Sequence, residues 1–267
     1  MPDLGRTLRV LVTNDDGVHA AGLHHLARAM VDAGHDVVVA APQEDMSGTS
    51  ASLGRFHPDN HIDLTTHEIP GVPELRSFGV DGPPALAVVA ARLEAFGAAP
   101  DVVVSGINPG HNTGRATMHS GTVGAALTAA NFGGRGVAFS IGASERPHWE
   151  TAAALAAPAV RWLLEQAEGT VLNVNVPDLA FDELQGVRWA DLAPFGTVRA
   201  TMVGADEGRL QMELRENEDE VPADTDTALV GEGFVAVTTL VGVRADLAAM
   251  EQPTPLADLV QGGRRTA

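Results

Sequence analysis

Short apolar runs without polar alternation, separated by helix-patterned stretches, constrain this chain more than any other feature. TLRVLV (residues 7–12), DVVVAAP (36–42), PDVVVSG (100–106), GVAFSIG (136–142) and TVLNVNVP (170–177) are rich in β-branched residues. A strand that is apolar on both sides needs cover on both faces, which is the habit of parallel sheets. The stretches between them have helical spacing. GLHHLARAMVDAGH sets Leu23, Leu26, Ala27 and Met30 on one face, with Gly34 as a stop. DGPPALAVVAARLEAFG (81–97) has Asp81 near a cap, Pro in the first turn and apolar Leu86, Val89, Leu93 and Phe96, with Gly97 beyond the end. SGTVGAALTAANFGG (120–134) reads as a third helix, and a fourth is expected from about 148 to 166. This alternation predicts an α/β fold, a Rossmann-like three-layer arrangement with a mostly parallel sheet, over residues 1 to about 180. No GxGxxG follows the first strand, which disfavours a dinucleotide site.

The remainder is patterned differently. TVRATMV and RLQMELRE flank GADEG, a hairpin signal. A β-hairpin extension is therefore expected over about 186–215. EGFVAVTTLVG is a further strand, and RADLAAMEQPTPLADLVQGG is a broken amphipathic tail, read as a C-terminal arm over about 243–267. With no repeats and no long linker, residues 1–267 are expected to form a single domain.

Composition excludes several classes of partner. The formal net charge is −18, and all 17 basic residues are Arg. Such a surface repels a nucleic acid duplex, while a small anion is admissible where a metal ion or backbone N–H groups supply local positive potential. The chain has no Cys, and its first ten residues contain no apolar signal core. No stretch is long and apolar enough to cross a bilayer. These observations predict a cytoplasmic protein with no membrane partner.

Ligands of open parallel sheets bind beyond the carboxyl ends of the strands. Asn14, Asp15, Asp16 and Gly17 follow the first strand. Ser47, Gly48, Thr49 and Ser50 follow the second, and Ser105, Asn108 and Asn112 the third. Two carboxylates, a hydroxyl and an amide carbonyl form a set of hard oxygen donors suited to Mg2+ or Mn2+ rather than Zn2+. A dication also explains why adjacent acids end a strand, since it removes their repulsion. Ser120, Gly121 and Thr122 open a helix, where free N–H groups and the dipole favour a phosphate. Plain readings stand beside these: Asp-Asp-Gly as a turn, Ser120 and Thr122 as caps, Asn108 and Asn112 as turn residues. His19, His24 and His25 read as surface or cap residues, whereas His111 and His119 lie in the glycine-rich loop beside the candidate substrate site.

The combined motifs VLVTNDDG (10–17), VVVAAP, SGTSAS (47–52), VDGPPA (80–85), DVVVSGINPGHNTG (101–114), HSGTVGAA (119–126) and NVNVP (173–177) resemble the SurE survival proteins, which are 5′/3′-nucleotidases. TDTALVGEGFVAVTTL (225–240) is similar to that family's closing strand region, so the resemblance covers about residues 8–240. It implies a metal-dependent phosphohydrolase, releasing phosphate from nucleoside 5′- or 3′-monophosphates with one divalent ion, Mg2+ or Mn2+, per subunit. The implied metal ligands are Asp15, Asp16, Ser47 and Asn108. Asn14, Asn112, Ser120, Gly121 and Thr122 are the implied phosphate or substrate contacts. Asp15, Asp16 and Asn112 are the candidate catalytic residues; whether water or an aspartate is the nucleophile is open in the sequence. The family also implies a homodimer or homotetramer built through the hairpin and C-terminal arm. Three departures stand out: Ala21 replaces a usual Pro, His119 a usual aromatic, and Gln43-Glu44-Asp45-Met46 a loop that often carries basic residues. The competing expectation is a nucleotide- or anion-binding regulatory module with little turnover.

Overall fold

The computed structural model describes residues 7–54, 59, 61–196, 198–206, 208–216 and 220–243. Along the chain the elements are β1 (Arg9–Thr13), α1 (Ala21–Asp32), β2 (Asp36–Pro42), β3 (Leu64–Thr66), β4 (Ser77–Val80), α2 (Pro84–Arg92), β5 (Val102–Pro109), α3 (Gly121–Asn131) and β6 (Gly136–Ile141). Then come α4 (Trp149–Ala154), α5 (Ala156–Leu164), β7 (Thr170–Val176), β8 (Val187–Trp189), β9 (Val198–Asp206), β10 (Arg209–Glu216), α6 (Asp226–Gly231) and β11 (Val235–Val241). The sheet order is β3-β4-β2-β1-β5-β6-β7-β11-β8. From β4 to β7 every neighbouring pair is parallel. β3 and β11 join antiparallel, and β8 runs parallel to β11.

The apolar runs form central strands because both of their faces are buried. Val10 and Val12 face a core shared with Leu23, Leu26 and Met30 of α1 and Leu163 of α5. Leu11 between them faces the opposite core, with Leu86 and Val88 of α2 and Ala125 and Ala129 of α3. Fully burying one such Leu contributes about 1.5–3 kcal/mol. A one-residue slip in β1 would exchange the two cores, so the register is fixed by packing. The chain leaves β1 toward β2 on one side and later returns to β5 on the other. Between the carboxyl ends of β1 and β5 lies the switch point where such sheets bind ligands.

Three details depart from the sequence reading. The helix expected over 148–166 is two helices meeting at Leu155, since Pro158 cannot donate to Ala154 and its ring crowds that carbonyl. The helix expected over 81–97 covers only Pro84–Arg92, which leaves Leu93 71% exposed past its end. The sheet continues beyond residue 180, because β11 and β8 extend it past β7. The expected hairpin is present: β9 and β10 pair antiparallel, with Met202, Leu210 and Met212 exposed. The C-terminal arm expected from about 243 lies almost wholly outside the described residues. Among those described, no helix is long and apolar enough to cross a membrane.

Candidate active site

Asp15 and Asp16 leave β1 at the switch point. Asp15 is 3% exposed. Its Oδ2 accepts the N–H of Gly121 at 3.1 Å, and its Oδ1 accepts the Thr122 hydroxyl in a short bond. Gly is required at 121: a Cβ there would lie 2.8 Å from the Asp15 side chain. Burial nonetheless pushes the Asp15 carboxyl above its usual range, offset in part by the Thr122 and Gly121 hydrogen bonds. Asp16 receives neither of those two bonds. Its Oδ2 is buried without a partner, and burial, with Asp15 and Asp45 nearby, pushes its carboxyl up to about 7.

Asn108, at the end of β5, turns its amide toward the same place. Its Nδ2 donates to Gly110 O at 2.6 Å, so its Oδ1 faces Thr122, 3.4 Å from that hydroxyl oxygen. The strand is displaced to allow this: the β5–β6 register shifts between Ser105 and Asn108. Gly106 sits in the shift, where a Cβ would meet Phe139 O at 2.4 Å. The loop after β2 is pinned alongside by the bond from Met46 N–H to Asp15 O, 2.7 Å. There Ser47 donates both its N–H and its hydroxyl to Asp45 Oδ1, at 2.8 and 2.6 Å. A hydroxyl whose proton is already placed keeps its lone pairs for another acceptor role.

Asn112 is held by residues that the sequence did not single out. Its N–H donates to Asn175 Oδ1 at 2.8 Å. Its carbonyl accepts Asn173 Nδ2 and Asn175 Nδ2 at 2.9 and 3.0 Å. Its own Nδ2 donates to Ser140 Oγ at 2.8 Å, which leaves one amide hydrogen to spare. Asn173 and Asn175 share one face of β7, and Ser140 of β6 is the registered neighbour of Asn175. The available signal was a pair of Asn two apart in an otherwise Val-rich strand, which buried strands tolerate only with partners.

Other expected residues have local partners. Asn14 Nδ2 donates to Gly17 O at 3.1 Å and closes the turn that carries the two acids. Ser120 caps α3, its Oγ accepting Val123 N–H at 3.1 Å. Thus Ser120, Gly121 and Thr122 act on the helix start and on Asp15. His24 Nε2 lies 2.9 Å from Val18 O, His25 stacks on Trp149, and His19 meets His67 edge-on at 4.7 Å. His111 is largely buried, 2.9 Å from Val176 O through Nε2, and burial holds its imidazole below the usual histidine range. His119 is exposed.

Among the described residues, no three His, Asp or Glu side chains are grouped to hold a metal ion. A cation here would rest on two carboxylates supplemented by neutral oxygens, which suits a hard dication. The unpartnered Asp16 oxygen fits that group, because a buried carboxylate facing another carboxylate is costly unless a positive charge lies between them.

The model of the family described as survival protein SurE matches residues 10–202. A 5′-nucleotidase named SurE 1, from Burkholderia lata, is 36% identical over 242 residues, spanning 87% of this chain and 90% of that protein. The crystal structure of the SurE protein from Aquifex aeolicus superposes with a TM-score of 0.74 at 29% identity, over 91% of this chain and 97% of that one.

Proposed function

This chain belongs to the survival protein SurE family, and on that premise we propose that it is a phosphohydrolase releasing phosphate from nucleoside 5′- or 3′-monophosphates with a divalent metal ion. The observation that carries the reading is the convergence of Asp15, Asp16, Asn108 and Thr122 at one sheet edge, with an Asp16 oxygen buried and unpartnered. Asp15, Asp16, Ser47 and Asn108 would hold the ion. Bound there, it supplies a Lewis acid that neutralises phosphate charge and lowers the pKa of water.

The chain's own groups do the rest. Gly121 and Thr122 fix Asp15, and Asp45 fixes the Ser47 hydroxyl proton. Asn112 offers its spare amide hydrogen to an equatorial phosphate oxygen, supported from behind by Ser140, Asn173 and Asn175. The positive end of α3 acts on Asp15 and on a phosphate alike. Where water attacks, Asp15 or Asp16 would take up its proton, and the departing nucleoside oxygen would leave with a proton from solvent. The test is phosphate release from several nucleoside monophosphates with Mn2+ and then with EDTA. Turnover that EDTA abolishes supports this reading; saturable binding without turnover would return the protein to the anion-binding class.

Two further expectations concern substrate encounter and assembly. Glu44 and Asp45 are exposed in the loop bonded to Asp15, and Asp45 already raises the Asp16 carboxyl. Exposed charges are screened beyond about 8 Å at physiological ionic strength, so they weaken encounter with a dianion more than the chemical step. Glu44→Arg should lower KM with kcat little changed, and the wild-type KM should fall as salt rises from low ionic strength. Polyphosphates should be poorer substrates than monophosphates. Steady-state kinetics at two salt concentrations check this, and four equal KM values would show that the loop points away from substrate.

The hairpin and C-terminal arm are proposed to build a homodimer or homotetramer in the cytoplasm. A lone two-stranded hairpin is marginal in water, and β9–β10 exposes Met202, Leu210 and Met212. Replacing residues 197–214 with a short Gly linker should lower the mass seen by light scattering; an unchanged mass would refute the assignment.

A further inference from the structure

Asp226 opens α6 with its side chain fully buried, far along the chain from the acids of the cation site. Its carboxylate accepts backbone N–H groups from three places. Oδ2 takes Gly114 at 2.8 Å, while Oδ1 takes Ala193 at 3.0 Å and Thr227 at 2.8 Å. Gly114 is two residues beyond Asn112. Ala193 lies five residues before β9, and Thr227 lies in α6, the element that follows β10. Burial raises this carboxyl and the N–H groups counteract the rise, as expected for an anion satisfied by amides.

Around the carboxylate, the three segments that it joins are also bonded directly to one another. Arg115 N–H donates to Ala193 O at 3.1 Å, and Asp226 N–H donates to Asp191 O at 2.9 Å. The Thr227 hydroxyl donates to Phe195 O at 3.1 Å. The approach is close enough to require Gly at 114, which has φ +61 and where a Cβ would lie 2.4 Å from Phe195 O. The turn after Asn112 is therefore seated on the neck of the hairpin, with one buried carboxylate fastening both.

We propose that Asp226 is a positioning residue that sets Asn112 through Gly114 and ties it to the hairpin neck, so that the hairpin's seating and the alignment of the site are one event. This rests on the reading of Asn112 as a substrate contact. Asparagine cannot replace Asp226. With its NH2 in the place of Oδ2 it opposes Gly114 N–H; flipped, it opposes both Ala193 and Thr227. The first arrangement loses less, so Asp226→Asn releases chiefly the Asn112 turn.

The test is a double-mutant cycle on the full chain with saturating Mn2+ and a nucleoside monophosphate. Asp226→Asn should lower kcat about tenfold or more, since small misplacements at a reacting centre cost up to about a hundredfold. KM and the Mn2+-induced shift in Tm should change little. In an Asn112→Ala background, the same substitution should cost almost nothing further. A full additional loss in that background would mark general loosening and overturn the proposal, as would an unimpaired Asp226→Asn beside an impaired Asn112→Ala. If Asn112→Ala is itself fully active, the reading of Asn112 falls and the proposal with it. Should Asp226→Asn fail to fold, amide exchange in the wild type decides. Gly114 and Ala193 should be protected together, since one carboxylate holds both; exchange of Gly114 at the rate of an exposed loop overturns the proposal.

Discussion

Replacing Asp15 or Asp16 with Asn should abolish the rise in Tm that Mn2+ gives the wild type and should lower phosphate release by about 10³-fold, the several kcal/mol that a catalytic metal supplies. The first effect is linkage: a ligand that binds only the folded state raises its stability with concentration. For Asp16 the sign of the metal-free behaviour is also fixed. Its folded carboxyl stands at about 7 against an ordinary 3.8. Below about pH 4 it is protonated in both states and costs nothing. As pH rises toward 7, the unfolded chain ionises freely while the folded one resists, so metal-free stability falls across that window. Asp15 is displaced in the same direction. Metal-free Asp16→Asn should consequently melt at or above the wild-type temperature at pH 8, and the stabilisation of the wild type by Mn2+ should grow between pH 5 and pH 8. Thermal scans with and without Mn2+ at the two pH values measure all of this. Variants that respond to Mn2+ as the wild type does would remove both acids from the metal site.

Asn112→Ala should lower kcat by about 10²–10³-fold, the usual loss for one preorganised donor, and move KM far less. The fold should survive because most of what anchors this residue is main chain. Asn173 and Asn175 hold its N–H and carbonyl, and only the contact with Ser140 is lost with the side chain. The Mn2+ response should persist, which separates this variant from those at Asp15 and Asp16. Unchanged kcat would leave Asn112 as a turn residue.

Much of the fold was legible in the sequence because its signals are local or periodic. Val-rich runs without alternation require cover on both sides, and helical spacing in Leu23, Leu26 and Met30 supplies it. GADEG between two alternating runs predicts the hairpin, which β9 and β10 form. Where the reading failed, one cause was local and the other long-range. Pro158 broke a helix whose periodicity ran on past it. β11 joined the sheet antiparallel to β7, a pairing on which its own alternation is silent.

The sequence by itself determined the chemistry of the site's donors and the strand ends from which they project, because side-chain identity and strand termini are properties of short segments. Only the tertiary structure decided what each donor is spent on. Thr122 and the Gly121 amide serve Asp15 although they read equally well as phosphate ligands, since α3 packs with its first turn against the end of β1. Asn173, Asn175 and Ser140 brace Asn112 from strands more than 25 residues away. Asp226 reaches Gly114 across 112 residues. A buried polar group must find a partner wherever the fold provides one, and the sheet order together with the packing of the connecting segments brings those partners within hydrogen-bond reach.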